Sequence, residues 1–153
     1  MYAAGDCADG GGLPLTPTAA LEGELAAKNI LEGNRYTADF TALASIVYTI
    51  PSLGSVGLTT AAARERGAEF ELHEGDSTQW YSSRRVRARA SAYRVLVEKS
   101  SELILGAHLL GPYTEELINV FSLAIRAKIP APILRGALFG YPTASSEMEY
   151  LLS

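Results

Sequence analysis

The amino-acid sequence predicts an α+β domain over residues 42–153, an antiparallel β-sheet with its helices packed on one side, and three observations point to it. Tyr93, Val95 and Val97 alternate with Arg94, Leu96 and Glu98, the period of a half-buried strand. Ser100-Ser101-Glu102 then turns the chain into a second strand, Leu103 to Leu110, which makes a hairpin. Helical patterns come only after these strands. Paired strands ahead of helices favour an antiparallel α+β sheet over an alternating, parallel one.

The elements follow in order. Tyr2-Ala3-Ala4-Gly5-Asp6 reads as the end of a buried strand, and Asp9-Gly10-Gly11-Gly12 as a Gly-rich loop. Residues 17–32 read as a helix with Thr16 as N-cap and Pro17 at its first position. Ala20, Leu21, Ala27, Ile30 and Leu31 form its apolar face, and Gly33 is its C-terminal cap. Residues 34–41 look like a linker. Ser45-Ile46-Val47-Tyr48-Thr49 and Ser55-Val56-Gly57-Leu58 are short strands split by Pro51, which cannot donate to a central ladder. Thr59 caps an Ala-rich helix that ends before Gly67. Residues 69–73 are a strand, and Glu74-Gly75-Asp76-Ser77 is turn chemistry. Thr114 opens a helix with an apolar stripe of Leu117, Val120, Phe121, Ala124 and Ile125, and a last helix spans Ser145 to Leu152.

At 153 residues the chain is about the size of one domain. Its net charge of −4 argues against a nucleic-acid or anionic-membrane partner. No apolar run reaches the ~20 residues that span a bilayer. With no signal peptide visible, the cytoplasm is the default location. Cys7 is the single cysteine, which excludes an internal disulfide framework and a multi-thiolate metal site, and no metal-ligand spacing occurs elsewhere.

The small-residue tip Gly5-Asp6 lets a chain approach a ligand closely, and the helix opened at Thr16-Pro17 presents free N–H groups. By its residues alone, Asp6 is either a turn aspartate bonding its own backbone or an acceptor for a hydroxyl-rich cofactor. The motif starts with no sheet ahead of it, so the chain is expected to be a piece of a larger protein.

In order along the chain, Tyr2-Ala3-Ala4-Gly5-Asp6, Leu15-Thr16-Pro17-Thr18-Ala19-Ala20-Leu21-Glu22-Gly23, Tyr48-Thr49-Ile50-Pro51-Ser52, Ser55-Val56-Gly57-Leu58-Thr59, Ile104-Leu105-Gly106-Ala107-His108-Leu109-Leu110-Gly111-Pro112, Glu116-Leu117-Ile118-Asn119 and Tyr141-Pro142-Thr143 resemble the pyridine nucleotide-disulfide oxidoreductases, the family of glutathione reductase, dihydrolipoamide dehydrogenase and mercuric reductase. The resemblance implies that residues 1–40 are the C-terminal tail of an FAD-binding domain and residues 41–153 the dimerisation domain. It implies FAD as cofactor of the full-length parent, NAD(P)H as its co-substrate, and a homodimer as the assembly. Asp6 would accept hydrogen bonds from the ribityl chain, and Leu15 and Thr16 would offer backbone N–H groups to the pyrimidine edge of the flavin. A helix N-terminus stabilises negative charge there by roughly 0.3–2 kcal/mol.

In the thiol-disulfide branches of the family, the Tyr141 position carries a His and the Ser146 position a Glu. Here Tyr141 and Ser146 stand there, with Glu147 one step later. A phenol with a pKa near ~10 is a poor base at neutral pH, though it can donate a hydrogen bond or a proton. Dithiol exchange by the family's usual route is therefore in question for the parent.

Other features read as structural. Cys7 is expected to be a small buried packing residue. His108, in an apolar strand, is expected to be a satisfied structural imidazole, and His73 to lie in a polar turn. Arg85, Arg87 and Arg89 are expected on one side of a solvated edge strand. Trp80-Tyr81 reads as a packing anchor or interface aromatic.

Gly10-Gly11-Gly12 lacks the spacing of a dinucleotide-binding loop, so the chain by itself is expected to bind FAD weakly or not at all and to show no turnover. The interface is expected near the Leu117–Ile125 helix and the terminal helix. A self-contained interaction module, or a parent acting as a transhydrogenase, quinone or metal-ion reductase, are the alternatives.

Overall fold

A computed structural model describes residues Met1–Ser153, and the chain divides into two units, Met1–Thr41 and Ala42–Ser153. The first unit holds a 3₁₀ turn at Gly5–Cys7 and helix α1, Thr16–Glu32. Tyr2-Ala3-Ala4 joins no ladder, contrary to the expected strand end; an extended segment becomes a strand only where a neighbour pairs with it.

Helix α1 starts one residue earlier than expected. Leu15, extended at φ −127°, ψ 148°, occupies the N-cap position with no side-chain cap, and Thr16 is already helical. Gly33 ends the helix at φ 85°, a left-handed conformation that glycine adopts without a Cβ penalty. The buried face also differs from the expected one. Thr18 and Asn29 are buried, with Glu22, Leu25 and Ala26 half-buried between them. Ile30 and Leu31, at 65% and 83% exposure, point away from it. Asn29 and Glu22 are accommodated on this face because the segments wrapping α1 hydrogen-bond to them, whereas the Thr18 hydroxyl has no partner.

The second unit carries a five-stranded antiparallel sheet in the order β1-β2-β5-β4-β3. The strands are β1 Ser45–Val47, β2 Leu53–Gly57, β3 Phe70–Asp76, β4 Ala92–Glu98 and β5 Ile104–Leu110. Helices α2 Thr60–Glu65 and α3 Tyr81–Arg85 fall between strands; α4 Thr114–Arg126, α5 Ala131–Arg135 and α6 Met148–Leu151 follow them. The core joins Val56, Val95, Val97, Ala107 and Leu109 of the sheet to Ile118 and Phe121 of α4, Leu134 of α5 and Met148 and Leu151 of α6. This is the α+β architecture with helices gathered on one face.

Several local expectations are corrected. Glu74-Gly75-Asp76 continues β3 rather than turning, because it pairs with Arg94, Tyr93 and Ala92. Arg94 grips Glu74 at 2.6 and 2.8 Å, and Gly75 leaves room for the Tyr93 ring. His73 therefore sits in a strand, not a turn. Arg85, Arg87 and Arg89 form no edge strand: the chain ends α3 at Arg85 and turns through Arg87 at φ 54°. On α4 the buried positions are Thr114, Ile118, Phe121 and Ala124. The expected stripe missed Ile118 and included Leu117, Val120 and Ile125, which pack at the edge of the core. The last helix is split into a 3₁₀ turn, Ala144–Glu147, and α6, since Thr143 caps at the third residue in a tighter turn. Leu96, expected on a polar face, is fully buried. Over that second face lies the backbone of Leu58: a Cβ on Gly106 would stand 2.1 Å from the Leu58 carbonyl oxygen.

Candidate functional site

In the first unit the Asp6 turn is fastened to α1. Gly5, at φ 75°, donates its N–H to Glu22 Oε2 at 2.7 Å, and a Cβ there would touch Ala19 Cβ at 3.4 Å. Asp6 itself is exposed. Its turn thus rests on the first half of the helix whose start carries Leu15 and Thr16. Leu15 is half-buried, Thr16 exposed, and the first helical bond runs from Ala19 N–H to Leu15 O at 2.9 Å. Gly12 approaches Thr18 and Phe40 so closely that a Cβ would meet them at 2.6 and 2.9 Å. Thr18 Oγ1 is buried there without a hydrogen bond. Asn29 closes the unit: its Oδ1 accepts from Arg35 N–H and Tyr36 N–H at 2.9 and 2.8 Å, and its Nδ2 donates to Tyr36 O at 2.9 Å. Sequence reasoning missed Thr18, Glu22 and Asn29. Their helical spacing was a usable signal, but polar side chains at that spacing read as a solvated face.

In the second unit Tyr141 is 83% exposed on a loop held from both sides. Thr143 Oγ1 donates to Gly140 O at 2.6 Å and accepts from Ser146 N–H at 3.2 Å. Thr143 N–H in turn donates to Ser146 Oγ at 3.2 Å, completing a capping box. Ser146 is thereby committed to the turn. Glu147 Oε1 accepts from Ser82 N–H at 2.9 Å, which opens α3 and stabilises its start. Neither residue takes Tyr141 as partner. The Tyr141 ring pairs with that of Tyr81, whose centroid lies 6.4 Å away at an interplanar angle of 32°. Trp80 instead packs between Tyr93 and Tyr150, as a packing anchor does.

His108 is a satisfied structural imidazole. Its Nε2–H donates to Leu58 O at 3.1 Å, which leaves Nδ1 to accept from Ser55 Oγ–H at 2.7 Å. His73 Nδ1–H donates to Ser153 O at 3.0 Å, and its Nε2 lies 4.0 Å from Glu71. Cys7, expected to be buried, is exposed, because the 3₁₀ turn points it outward while its Sγ–H donates to Ala4 O at 3.3 Å. No cluster of three or more His, Cys, Asp or Glu side chains is arranged to hold a metal ion. No helix is long and apolar enough to cross a membrane.

With this geometry in place, comparison with known proteins is specific. Residues 43–152 match the pyridine nucleotide-disulphide oxidoreductase dimerisation domain, and the chain belongs to that family. It is 36% identical over 152 residues to an uncharacterised 19.7 kDa protein of a mercuric resistance operon in Staphylococcus aureus, covering 99% of this chain and 84% of that protein. It is 28% identical to the dihydrolipoyl dehydrogenase of Chlamydia muridarum over 94% of this chain, but spans only 30% of that enzyme. The fold superposes on the HOCl-induced flavoprotein disulfide reductase RclA of Escherichia coli with a TM-score of 0.87 at 27% identity, over 99% of this chain and 34% of that one.

Proposed function

We propose that the chain is the C-terminal portion of an FAD-dependent, NAD(P)H-linked oxidoreductase, residues 1–40 being the tail of its FAD-binding domain and residues 41–153 its dimerisation domain. Its own act is homodimer assembly, by which each subunit brings Tyr141 to the mouth of the other's active site. The observation that carries this reading is the Tyr141 loop: a phenol kept outside the fold on a turn pinned by hydrogen bonds among Gly140, Thr143 and Ser146. The outer face of α4 supplies the assembly surface. Ile118, Phe121 and Ala124 are used up in the core, whereas Leu123, at 63% exposure, stands among the exposed Glu116 and Asn119. An apolar centre with a polar rim is the anatomy of such interfaces.

FAD, when bound, accepts hydride from NAD(P)H. The residues present fit part of its seat: Asp6 offers an acceptor for ribityl hydroxyls, and the uncapped α1 start leaves the Thr16 N–H for the flavin's carbonyl edge, whereas Leu15 N–H already donates to Leu13 O at 2.8 Å. The orphaned Thr18 hydroxyl one turn in is consistent with that role. Toward the acceptor, Tyr141 donates a hydrogen bond or a proton and does not serve as base. Ser146 and Glu147 are both spent on local structure, which supports a parent whose acceptor is a quinone, a metal ion or a second nucleotide rather than a dithiol.

Sedimentation equilibrium tests the assembly. The chain is expected to be a dimer, and Leu123→Glu to weaken it by about 30-fold or more, as a central interface residue does. A monomeric chain, or a variant that dimerises as well, would refute the proposal. Equilibrium dialysis is expected to find weak FAD binding or none by this chain, and tight binding would contradict it.

One observation favours a second reading. The Staphylococcus protein is a 19.7 kDa chain of which this one covers 84%. A stand-alone dimerisation module fits that length. Two Gly-rich dinucleotide loops encoded upstream would decide for the enzyme, and a promoter there for the module.

A further inference from the structure

The arginines at 84, 85, 87 and 89 play no part in the reading above. Beyond α3 the turn at Arg87 sets Arg87 and Arg89 along a cleft of about 520 Å³. Its other walls are the segment between β1 and β2, with Ile50, and the turn into α4, with Tyr113. Arg94 is paired with Glu74, but Arg87 and Arg89 have no carboxylate within ion-pair distance. Arg85 donates to the Tyr113 hydroxyl and lies 5.4 Å from that ring's centre, so a third guanidinium stands at the rim. Glu115 is the one carboxylate in the lining.

We propose that this cleft binds a small phosphate-bearing molecule with an apolar or aromatic body, its phosphate held by Arg87 and Arg89. Two forked guanidinium groups offer more donors than the two oxygens of a carboxylate can use, and a phosphate has three oxygens to take them. Ile50 and Val86 give the body an apolar wall. The cleft has the volume of a small-molecule site, and the chain's net charge of −4 repels a polyanion such as nucleic acid. The site stands independently of the dimer reading.

Isothermal titration of the whole chain with phenyl phosphate at low ionic strength tests the assignment. Saturable one-site binding is expected, tighter than that of inorganic phosphate or benzoate. The double variant Arg87→Gln/Arg89→Gln, unchanged in thermal unfolding, is expected to bind about 10-fold or more weakly. Glu115→Gln removes the opposing charge and is expected to tighten binding several-fold. Non-saturable heats, benzoate binding as well as phenyl phosphate, or a double variant that binds like the parent chain would overturn the proposal. If the double variant does not fold, Glu115→Gln decides: affinity that is unchanged or weaker sinks the site.

Discussion

Replacing Gly106 by alanine tests the packing of the second sheet face. The new Cβ would stand 2.1 Å from Leu58 O and 2.8 Å from Leu58 N, where ordinary contact begins near 3.4 Å. Both clashing atoms are backbone, so no side chain can rotate away. The Leu58 carbonyl must recede by more than about 1 Å, the gap between those distances. That movement breaks the 3.1 Å bond from His108 Nε2–H and strains the 2.8 Å bond from Leu58 N–H to Leu105 O. Two hydrogen bonds at roughly 0.5–1.5 kcal/mol each, with an overpacking cost of about 1–3 kcal/mol, give a loss of about 2–6 kcal/mol. Against a total of about 5–15 kcal/mol this is a large fraction. Urea unfolding followed by circular dichroism should lower the midpoint by ~1–3 M at a typical slope. A loss under about 1 kcal/mol would mean that Leu58 gives way freely, and that His108 is not held as described.

Two further outcomes follow from local geometry. Asp76 is held below the ordinary carboxylate range, chiefly by the Thr78 hydroxyl and then by the Thr78 N–H at 2.7 Å. A lowered folded-state value means that its contribution is full above the unfolded pKa and is lost as pH falls through the folded one. An NMR titration should find the Asp76 midpoint depressed, and Thr78→Val should raise it only in part, because the backbone donor remains; an unmoved midpoint contradicts this. Asn29→Ala removes three hydrogen bonds to residues 35 and 36, a local loss of about 2–4 kcal/mol. Hydrogen exchange at Arg35 and Tyr36 should then accelerate by about tenfold at least, and unchanged protection would show that the loop is held by something else.

What the sequence by itself determined was the type and order of the main elements of residues 42–153, though not α3 or α5. The alternation around Val95, the Ser100-Ser101-Glu102 turn and the amphipathic run after Thr114 are local signals, and the hairpin and α4 form where they say. His108 was legible too, since an imidazole in an apolar strand must find partners. Tertiary structure decided which way each element faces and where turn-forming residues yield to a ladder. Glu74-Gly75-Asp76 became strand because Arg94 and Tyr93 lay opposite, and α1 buried Thr18 and Asn29 because its wrapping loops supplied or accepted their contacts. The arginine cleft depends on one left-handed turn at Arg87, which no periodicity encodes. Burial and pairing are set by residues far away in sequence, so they outweigh local preference wherever the two conflict.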